Sequence, residues 1–389
     1  MRIGEFSDSF LPIIDGVGRV VKAYADTLSL RGQEVYVVCP SDDMGFRGKY
    51  PFEVVDYLSH QISGDIPWKI GVDQWDAHFT ARMKQIKLDI CHTHSPAFAG
   101  HSALHYARKK KIPLVATFHS KYYDDILLAT KSKVLAKLGT NFIVDFYNQC
   151  DEVWAVSEAT GETLKSYGYK KDVIVMPNGT DRHVLHEERL EETIKHFGLK
   201  ADVPILLFVG QINWKKNLRR IIEGCSLLKK EGIDFQLVFA GRGPDEKDVE
   251  NLAGTLGLED CLVMTGHLQD TQVLDCLYHL SSLFVFPSIY DNAPMVLREA
   301  AAMKTCALAV QGSCAAEVIQ DGVNGTLCLD TSEDFCKKVK EFLALPAEKR
   351  QAMEEKAFDT IPIKWDGPIM DAVIERYTNL AESCRHQNW

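Results

Sequence analysis

Short apolar runs alternate with amphipathic stretches along most of the chain. In the first half the runs fall at 2–6, 34–38, 53–57, 88–92, 113–118, 152–156 and 173–176, and in the second at 204–209, 235–240, 261–265, 282–286, 306–310 and 325–329. Continuous apolar runs of this length mark strands covered on both faces, and the amphipathic segments between them supply the covering helices. The pattern predicts two open α/β sheets in tandem, each with parallel strands. Between the two series, the stretch 178–203 turns polar and acidic, with Asn178-Gly179-Thr180-Asp181 and then Glu187, Glu188, Glu191 and Glu192, and reads as the crossing between domains.

Composition agrees with two globular domains. The 389 residues are 46% hydrophobic and 25% charged, which excludes disordered, collagenous and disulfide-scaffold classes. The net charge of −10 speaks against a nucleic-acid binder, whose affinity rests on cations neutralising phosphates. That charge is unevenly placed: residues 1–180 hold 21 basic and 21 acidic side chains, whereas 181–389 hold 23 and 33. The first half can therefore approach an anionic surface without strong repulsion. Eleven cysteines without any C-x-x-C read as buried thiols of a reducing compartment. The start Met1-Arg2-Ile3-Gly4-Glu5 lacks the pattern of a secretory leader, and no apolar run approaches the ~20 residues that span a bilayer, so a soluble or peripheral cytoplasmic protein is expected.

Open α/β sheets bind ligands beyond the carboxyl ends of their strands. In the first half those positions hold Ser7 to Gly18, including Pro12 and Asp15-Gly16-Val17-Gly18 ahead of a helix at about 19–31, then His94-Ser95-Pro96, His119-Ser120, Ser157-Glu158 and Pro177-Asn178-Gly179. In the second half they hold Gly210-Gln211 through Lys215-Lys216-Asn217, Gly241-Arg242-Gly243-Pro244, Gly266-His267, Pro287-Ser288 through Glu299, and Gly312-Ser313. The first loop lacks G-x-G-x-x-G, which argues against a nicotinamide enzyme. Gly16 and Gly18 either bring backbone amides to an anion at a helix start or form an ordinary turn. Lys215 and Lys216 precede a helix beginning near Asn217, where cations oppose the helix dipole; they serve an anion or are a solvated pair. Arg242 offers similar help, or simply belongs to a turn.

Asp291 lies in a loop, and Glu299 follows on a helix beginning near Pro294, inside the apolar run Val296, Leu297 and Ala300 to Met303. A carboxylate there is costly unless it is ion-paired or bound to hydroxyls, as a ribose or hexose diol provides. His92 and His94 share one face of a strand end, which with His119 admits a metal reading. Yet no Asp-x-Asp and no further His/Cys cluster completes a site, so His92 reads as a core histidine and His119 as the functional candidate.

Taken in order, these segments resemble the retaining glycosyltransferases of family 4, with the GT-B fold. Pro12 to Gly18 resembles the family's acceptor-side loop, Thr117-Phe118-His119 its T-x-H, and Pro177-Asn178-Gly179 the P-N-G before the linker. Gly210 to Asn217 is similar to the phosphate segment, Gly241-Arg242-Gly243-Pro244 to G-x-G-P, and Asp291 to Glu299 to E-x7-E. Glu317-Val318-Ile319 through Asp321-Gly322-Val323-Asn324-Gly325 matches the downstream motif. The resemblance implies two Rossmann-like α/β domains facing each other across a cleft: an acceptor domain, 1–180, completed by about 369–389, and a nucleotide-sugar domain, 181–368. It also implies that the last helix, about 369–384, crosses back to the first domain.

By the same resemblance Lys216 contacts the donor diphosphate, Glu299 the ribose hydroxyls and Asp291 the transferred sugar, which His119 reaches from the opposite domain. Gly16, Gly18, Gln211, Lys215, Arg242, Asn292, Ala293, Pro294 and Met295 complete the expected binding set. Gln211 replaces the family's arginine, with Lys215 or Arg242 to compensate, and Asp291 replaces glutamate. The implied reaction is metal-independent transfer of a hexose from a nucleotide-diphosphate sugar, such as UDP-glucose, to a lipid or cell-envelope glycan, as in diacylglycerol glucosyltransferases, with domain closure joining donor and acceptor. The alternative is a non-catalytic subunit that binds a nucleotide sugar and supports a partner enzyme. For the acceptor side, Arg108-Lys109-Lys110-Lys111 and a helix over Lys131 to Tyr147 stand out. There Leu135, Leu138, Phe142 and Phe146 recur at helical spacing beside Lys131, Lys133 and Lys137, either as an interfacial helix at the inner face of an anionic membrane or as a helix packed on its own domain.

Overall fold

The structure, a computed structural model, describes residues 1–11, 15–41, 49–61, 69–181, 183–200 and 202–387. Pro12 of the expected acceptor-side loop lies outside them. The chain divides into two compact units, Met1–Asn178 with Trp365–Trp389, and Gly179–Lys364.

The first unit contains β1 (Arg2–Phe6), β2 (Glu34–Pro40), β3 (Glu53–Tyr57), β4 (Ser59–Gln61), β5 (Lys69–Gly71), β6 (Ile90–Thr93), β7 (Leu114–Phe118), β8 (Glu152–Ala155) and β9 (Ile174–Val175). Seven of these form a parallel sheet in the order β3-β2-β1-β6-β7-β8-β9. The second unit contains β10 (Ile205–Val209), β11 (Gln236–Ala240), β12 (Leu262–Gly266), β13 (Leu283–Phe286), β14 (Ala307–Val310) and β15 (Gly325–Cys328), in the order β12-β11-β10-β13-β14-β15. Each apolar run of the sequence has become a strand, buried at nearly every position in the centre of each sheet and only partly covered in the edge strands β3, β9 and β12. In both sheets the chain first moves outward on one side and then returns to build the other. Strand order thus reverses between β1 and β6 and between β10 and β13, and crevices for ligands open at such reversals.

Three features differ from expectation. The pair β4 and β5 forms a separate antiparallel hairpin that no apolar run announces. The polar stretch after residue 178 is more than a crossing: Glu187–Phe197 is a helix of the second unit, with Glu187 and Glu188 in its first turn and Lys195 and His196 in its last, as the helix dipole favours. Its Ile194 and Phe197 pack on that unit's core. In helix Lys133–Tyr147, Leu135, Leu138 and Phe142 are 50–60% exposed whereas Phe146 is buried. Helix Phe98–Lys110 closes over the Phe146 end, where a Cβ on Gly100 would lie 2.9 Å from the Phe146 ring.

The closing helix, Met370–Gln387, belongs to the first unit. Its Tyr377 is fully buried and stacks on Trp154 of β8, with ring centroids 5.6 Å apart, while Arg376 donates to Glu152 at 3.0 Å. Ten of the eleven cysteines are buried and all are free thiols. Among the described residues, no helix is long and apolar enough to cross a membrane.

Candidate functional site

At the reversal of the second sheet, loops from four strands converge. The turn after β10 and the turn after β11 lie backbone to backbone: Gly210 N–H donates to Ala240 O at 3.0 Å, and Ile212 N–H to Arg242 O at 3.0 Å. Only glycine permits this approach. A Cβ on Gly241 would sit 1.9 Å from Gly210 O, and one on Gly243 would sit 2.1 Å from Ile212 O. The Gly-Arg-Gly-Pro segment is therefore required by close backbone packing, whatever else it binds.

Lys216 ends a single 3-10 turn, Trp214–Lys216, which Asn213 caps by accepting from Lys215 N–H at 3.0 Å. The chain then passes through Asn217 in the left-handed region and enters helix Leu218–Lys230. The Asn217 amide donates to Pro287 O at 3.1 Å and to Asp330 at 2.8 Å, tying this turn to the loop after β13. The result is an ion pair between Lys216 Nζ and Asp291 Oδ1, with both side chains about four-fifths buried. The other oxygen of Asp291 accepts from Ser288 Oγ at 2.6 Å. Two residues expected at the donor are thus in contact.

Lys215 is placed differently. Its ammonium lies 5.1 Å from the ring centroid of Tyr290, a cation–π arrangement. The Arg242 guanidinium lies along Gly266, and Gln211 is exposed. Glu299 is buried on helix Met295–Ala302, where it accepts from Tyr278 Oη at 3.0 Å. Pro294 precedes that helix, Asn292 is buried, and Ala293, Pro294 and Met295 are half-buried beside it. Sequence reading named Ser288 only as part of its loop, and it missed Tyr278 and also His183, whose Nδ1 lies 2.6 Å from Asp275. Burial works to lower the His183 pKa, but Asp275, helped by Glu299, overcomes this and raises it. The downstream Asn324 has a structural role, accepting from Gln320 N–H at 2.7 Å and donating to Val318 O at 3.1 Å.

The first unit carries its own polar cluster, also at its strand reversal. Residues two apart in extended chain share a face, so His92 of β6 and His94 just past its end lie on one face, beside Thr117 of β7, His119 just past its end, and Glu5 of β1. His92 Nε2 is 2.7 Å from Thr117 Oγ1, and its Nδ1 meets Tyr377 Oη. His94 Nε2 is 2.9 Å from Glu5 Oε2, and His94 Nδ1 is 3.1 Å from His119 Nε2. Tyr377 Oη also donates to Glu5 Oε1 at 3.2 Å. Burial acts to raise the Glu5 pKa, yet His92 and then His94 hold it down to about 2. Burial, aided by His92, pushes His94 down to about 4, and burial with His94 holds His119 well below the usual histidine range.

Glu5 was missed in the sequence, although a lone carboxylate inside the apolar strand Arg2–Phe6 was a usable signal. Glu5, His92 and His94 bring three ligand atoms within 4.8 Å of one another, the group among the described residues with metal-ligand chemistry. Each of these nitrogens also faces a protein hydrogen-bonding partner. Gly18 N–H donates to Asp15 Oδ1 at 2.7 Å as part of a helix cap, and Gly16 is exposed at the helix start.

Comparison with known proteins follows this division. Residues 14–184 match the family described as Glycosyltransferase Family 4, and residues 190–360 match Glycosyl transferases group 1. The chain is 24% identical over 372 residues to an alpha-monoglucosyldiacylglycerol synthase of Streptococcus pneumoniae, covering 92% of this chain and 82% of the relative. It is 26% identical over 334 residues to a GDP-mannose-dependent alpha-mannosyltransferase of Corynebacterium glutamicum, covering 84% and 76%. Among solved structures, Anabaena HepE in complex with UDP and glucose superposes with a TM-score of 0.77 at 16% identity, over 97% of this chain and 99% of that one. Likeness to named transferases across both units sets aside the non-catalytic alternative. The chain belongs to the family 4 glycosyltransferases, enzymes of the GT-B fold.

Proposed function

We propose that this enzyme transfers a hexose from a nucleotide-diphosphate sugar, with UDP-glucose the first donor to test, to a lipid or cell-envelope glycan acceptor, with retention of anomeric configuration and without a divalent cation. The observation that carries this reading is the Lys216–Asp291 pair at the reversal of the second sheet. Lys216 neutralises charge that develops on the leaving diphosphate, as a metal ion does elsewhere, and Asp291 receives sugar hydroxyls. Support for a glucosyl donor and a diacylglycerol-type acceptor comes from the named activity of the streptococcal relative. The test is turnover of labelled UDP-glucose on diacylglycerol-containing vesicles in the presence of chelator, with the product's anomer read by NMR. An inverted product, or activity that vanishes in chelator and returns with Mg²⁺, would overturn the corresponding part.

Glu299→Gln is expected to weaken donor binding by about 1.5–3 kcal/mol, since an ionised acceptor is lost where it meets ribose hydroxyls. Calorimetric titration with the nucleotide diphosphate checks it; an unchanged Kd in a folded variant would remove Glu299 from the donor contacts.

The acceptor side is proposed to dock on anionic membrane. Leu128, Val134, Leu135, Leu138 and Phe142 are all at least half exposed, and Lys131, Lys133 and Lys137 stand among them. The basic residues Arg108, Lys109 and Lys110 are on the neighbouring helix, whose His101 ring lies 5.4 Å from Phe142. Each cation near an anionic surface contributes about 1 kcal/mol. Changing Lys131, Lys133 and Lys137 to serine should therefore lower co-sedimentation with anionic vesicles by about two orders of magnitude in partition coefficient, with no effect on neutral vesicles. Equal pelleting of variant and wild type would leave this helix a structural role only.

A further inference from the structure

On helix Phe98–Lys110, the residues His101, Leu104, His105, Arg108 and Lys109 are spaced i, i+3, i+4, i+7 and i+8, which places them in one stripe. Such a stripe ordinarily carries apolar side chains against a neighbouring element. Here four of the five are basic, and together with Gln74 they line a cavity of about 610 Å³, within the range of small-molecule sites. Leu104 is buried, while His105, Arg108, Lys109 and Gln74 are exposed, and none of these lining residues is acidic. Lys110 is engaged elsewhere, its ammonium 5.7 Å from the Tyr106 ring centroid.

Three further observations describe the ligand. The His101 ring packs on Phe142 and Phe146, with centroids 5.4 and 5.3 Å away, and its Nε2 is buried with no hydrogen-bonding partner among the described residues. A buried nitrogen of this kind calls for a polar group from outside the chain. Asp8, the carboxylate that acts on His101 through space, is occupied by Ser95, by Ala99 N–H at 2.8 Å and by Tyr57, and does not line the cavity. The Arg108 guanidinium donates to Gln149 Oε1, and its planar fork suits a phosphate group. Finally, exposed aromatic rings accompany the basic stripe: Phe142 is 60% exposed, and Trp75, next to Gln74 in the chain, is 87% exposed. Aromatic side chains so placed favour the boundary between water and lipid.

We propose that this cavity is a site for the phosphodiester headgroup of one anionic phospholipid, the phosphate held by His105, Arg108 and Lys109, with the acyl end leaving past Phe142 and Trp75. The inference rests on the membrane docking proposed above and deepens it. Attraction of lysines to a charged surface needs only charge, whereas a cavity holds one headgroup and saturates at one lipid per chain.

Calorimetric titration of the full chain with dihexanoyl-phosphatidylglycerol, kept below the concentration at which it forms micelles, tests this without a membrane. One saturable site is expected, with dihexanoyl-phosphatidylcholine and inorganic phosphate at least about tenfold weaker. The double variant His105→Gln with Arg108→Gln, both at exposed positions, should weaken binding by about tenfold or more, as loss of charged hydrogen bonds implies. Absence of a saturable site would overturn the proposal. Inorganic phosphate binding as tightly as the lipid would overturn it too, leaving a site for free anions. A second arm separates this inference from the docking on which it rests. If wild-type protein stays in the supernatant with anionic vesicles, docking and headgroup site fall together; if it pellets while the folded double variant binds the monomeric lipid as tightly as wild type does, docking stands and the cavity is not the headgroup site.

Discussion

Replacing Lys216 by methionine is expected to lower kcat/KM by two to three orders of magnitude while the second unit stays folded. Removal of one preorganised charge stabiliser from a transition state costs about 10²–10³ in rate, or roughly 2.7–4 kcal/mol. The position of Lys216 makes it that stabiliser. A capped 3-10 turn and the Asn217 bonds to Pro287 and Asp330 hold its backbone, so the ammonium is set before substrate arrives. In the free protein its charge is balanced by Asp291, itself oriented by Ser288. Methionine keeps most of the stem's packing and removes only the charge. Lys216→Arg retains charge but changes its geometry, so it should recover part of the loss. Steady-state kinetics beside a thermal melt decide the matter. Unchanged kcat/KM in folded Lys216→Met would show that the pair is a tether between two loops and has no part in transfer.

The second large effect is on acid stability of the first unit. Glu5 has an ordinary pKa of 4.5 and is held at about 2, and His94 has an ordinary value of 6.5 and is held at about 4. Both folded-state values are depressed. In each interval the unfolded chain therefore binds more protons, and stability falls as pH falls. The loss belongs to His94 between pH 6.5 and 4 and to Glu5 between 4.5 and 2. Each depression corresponds to about 3 kcal/mol, and because the two groups share a hydrogen bond their contributions belong to the pair. The expected result is a fall of about 3 kcal/mol in the stability of the first unit between pH 7 and pH 4, followed by calorimetry or by the near-ultraviolet signal of the buried Trp154–Tyr377 stack. His94→Leu should be less stable at neutral pH and show a flatter decline on acidification. A wild-type midpoint that is level over that range would show that the cluster leaves both groups near their ordinary values.

Much of this enzyme is legible from the order of its residues. Parallel strands buried on both faces must be continuously apolar, so each sheet strand announced itself within two residues at either end. Ligand-binding loops follow such strands, so Lys216, Asp291, Glu299 and His119 stood out by position before any contact was known. What periodicity does not carry is pairing between distant segments. The hairpin of β4 and β5 has three-residue strands, too short to show a pattern. Glu187–Phe197 looked like a linker because its polar face dominates its composition, although Ile194 and Phe197 suffice to dock it. The exposure of Leu135, Leu138 and Phe142 beside the burial of Phe146 depends on where a second helix crosses the first, and helical spacing alone treats the four alike.

The polar cluster of the first unit makes the same division sharper. His-x-His and Thr-x-His were visible as same-face pairs, because residues two apart on a strand point the same way. That β1 lies beside β6, and β6 beside β7, is settled by how the sheet closes its core, and only this brings Glu5 against His94 and His94 against His119. Tyr377 reaches the same carboxylate from a helix more than three hundred residues away in the chain. Sequence determined which residue types stand at the strand ends, since local burial and turn chemistry select them. Tertiary structure decided which of them share a proton or a charge, since hydrogen bonds and ion pairs act over a few ångströms and depend on distance in space alone.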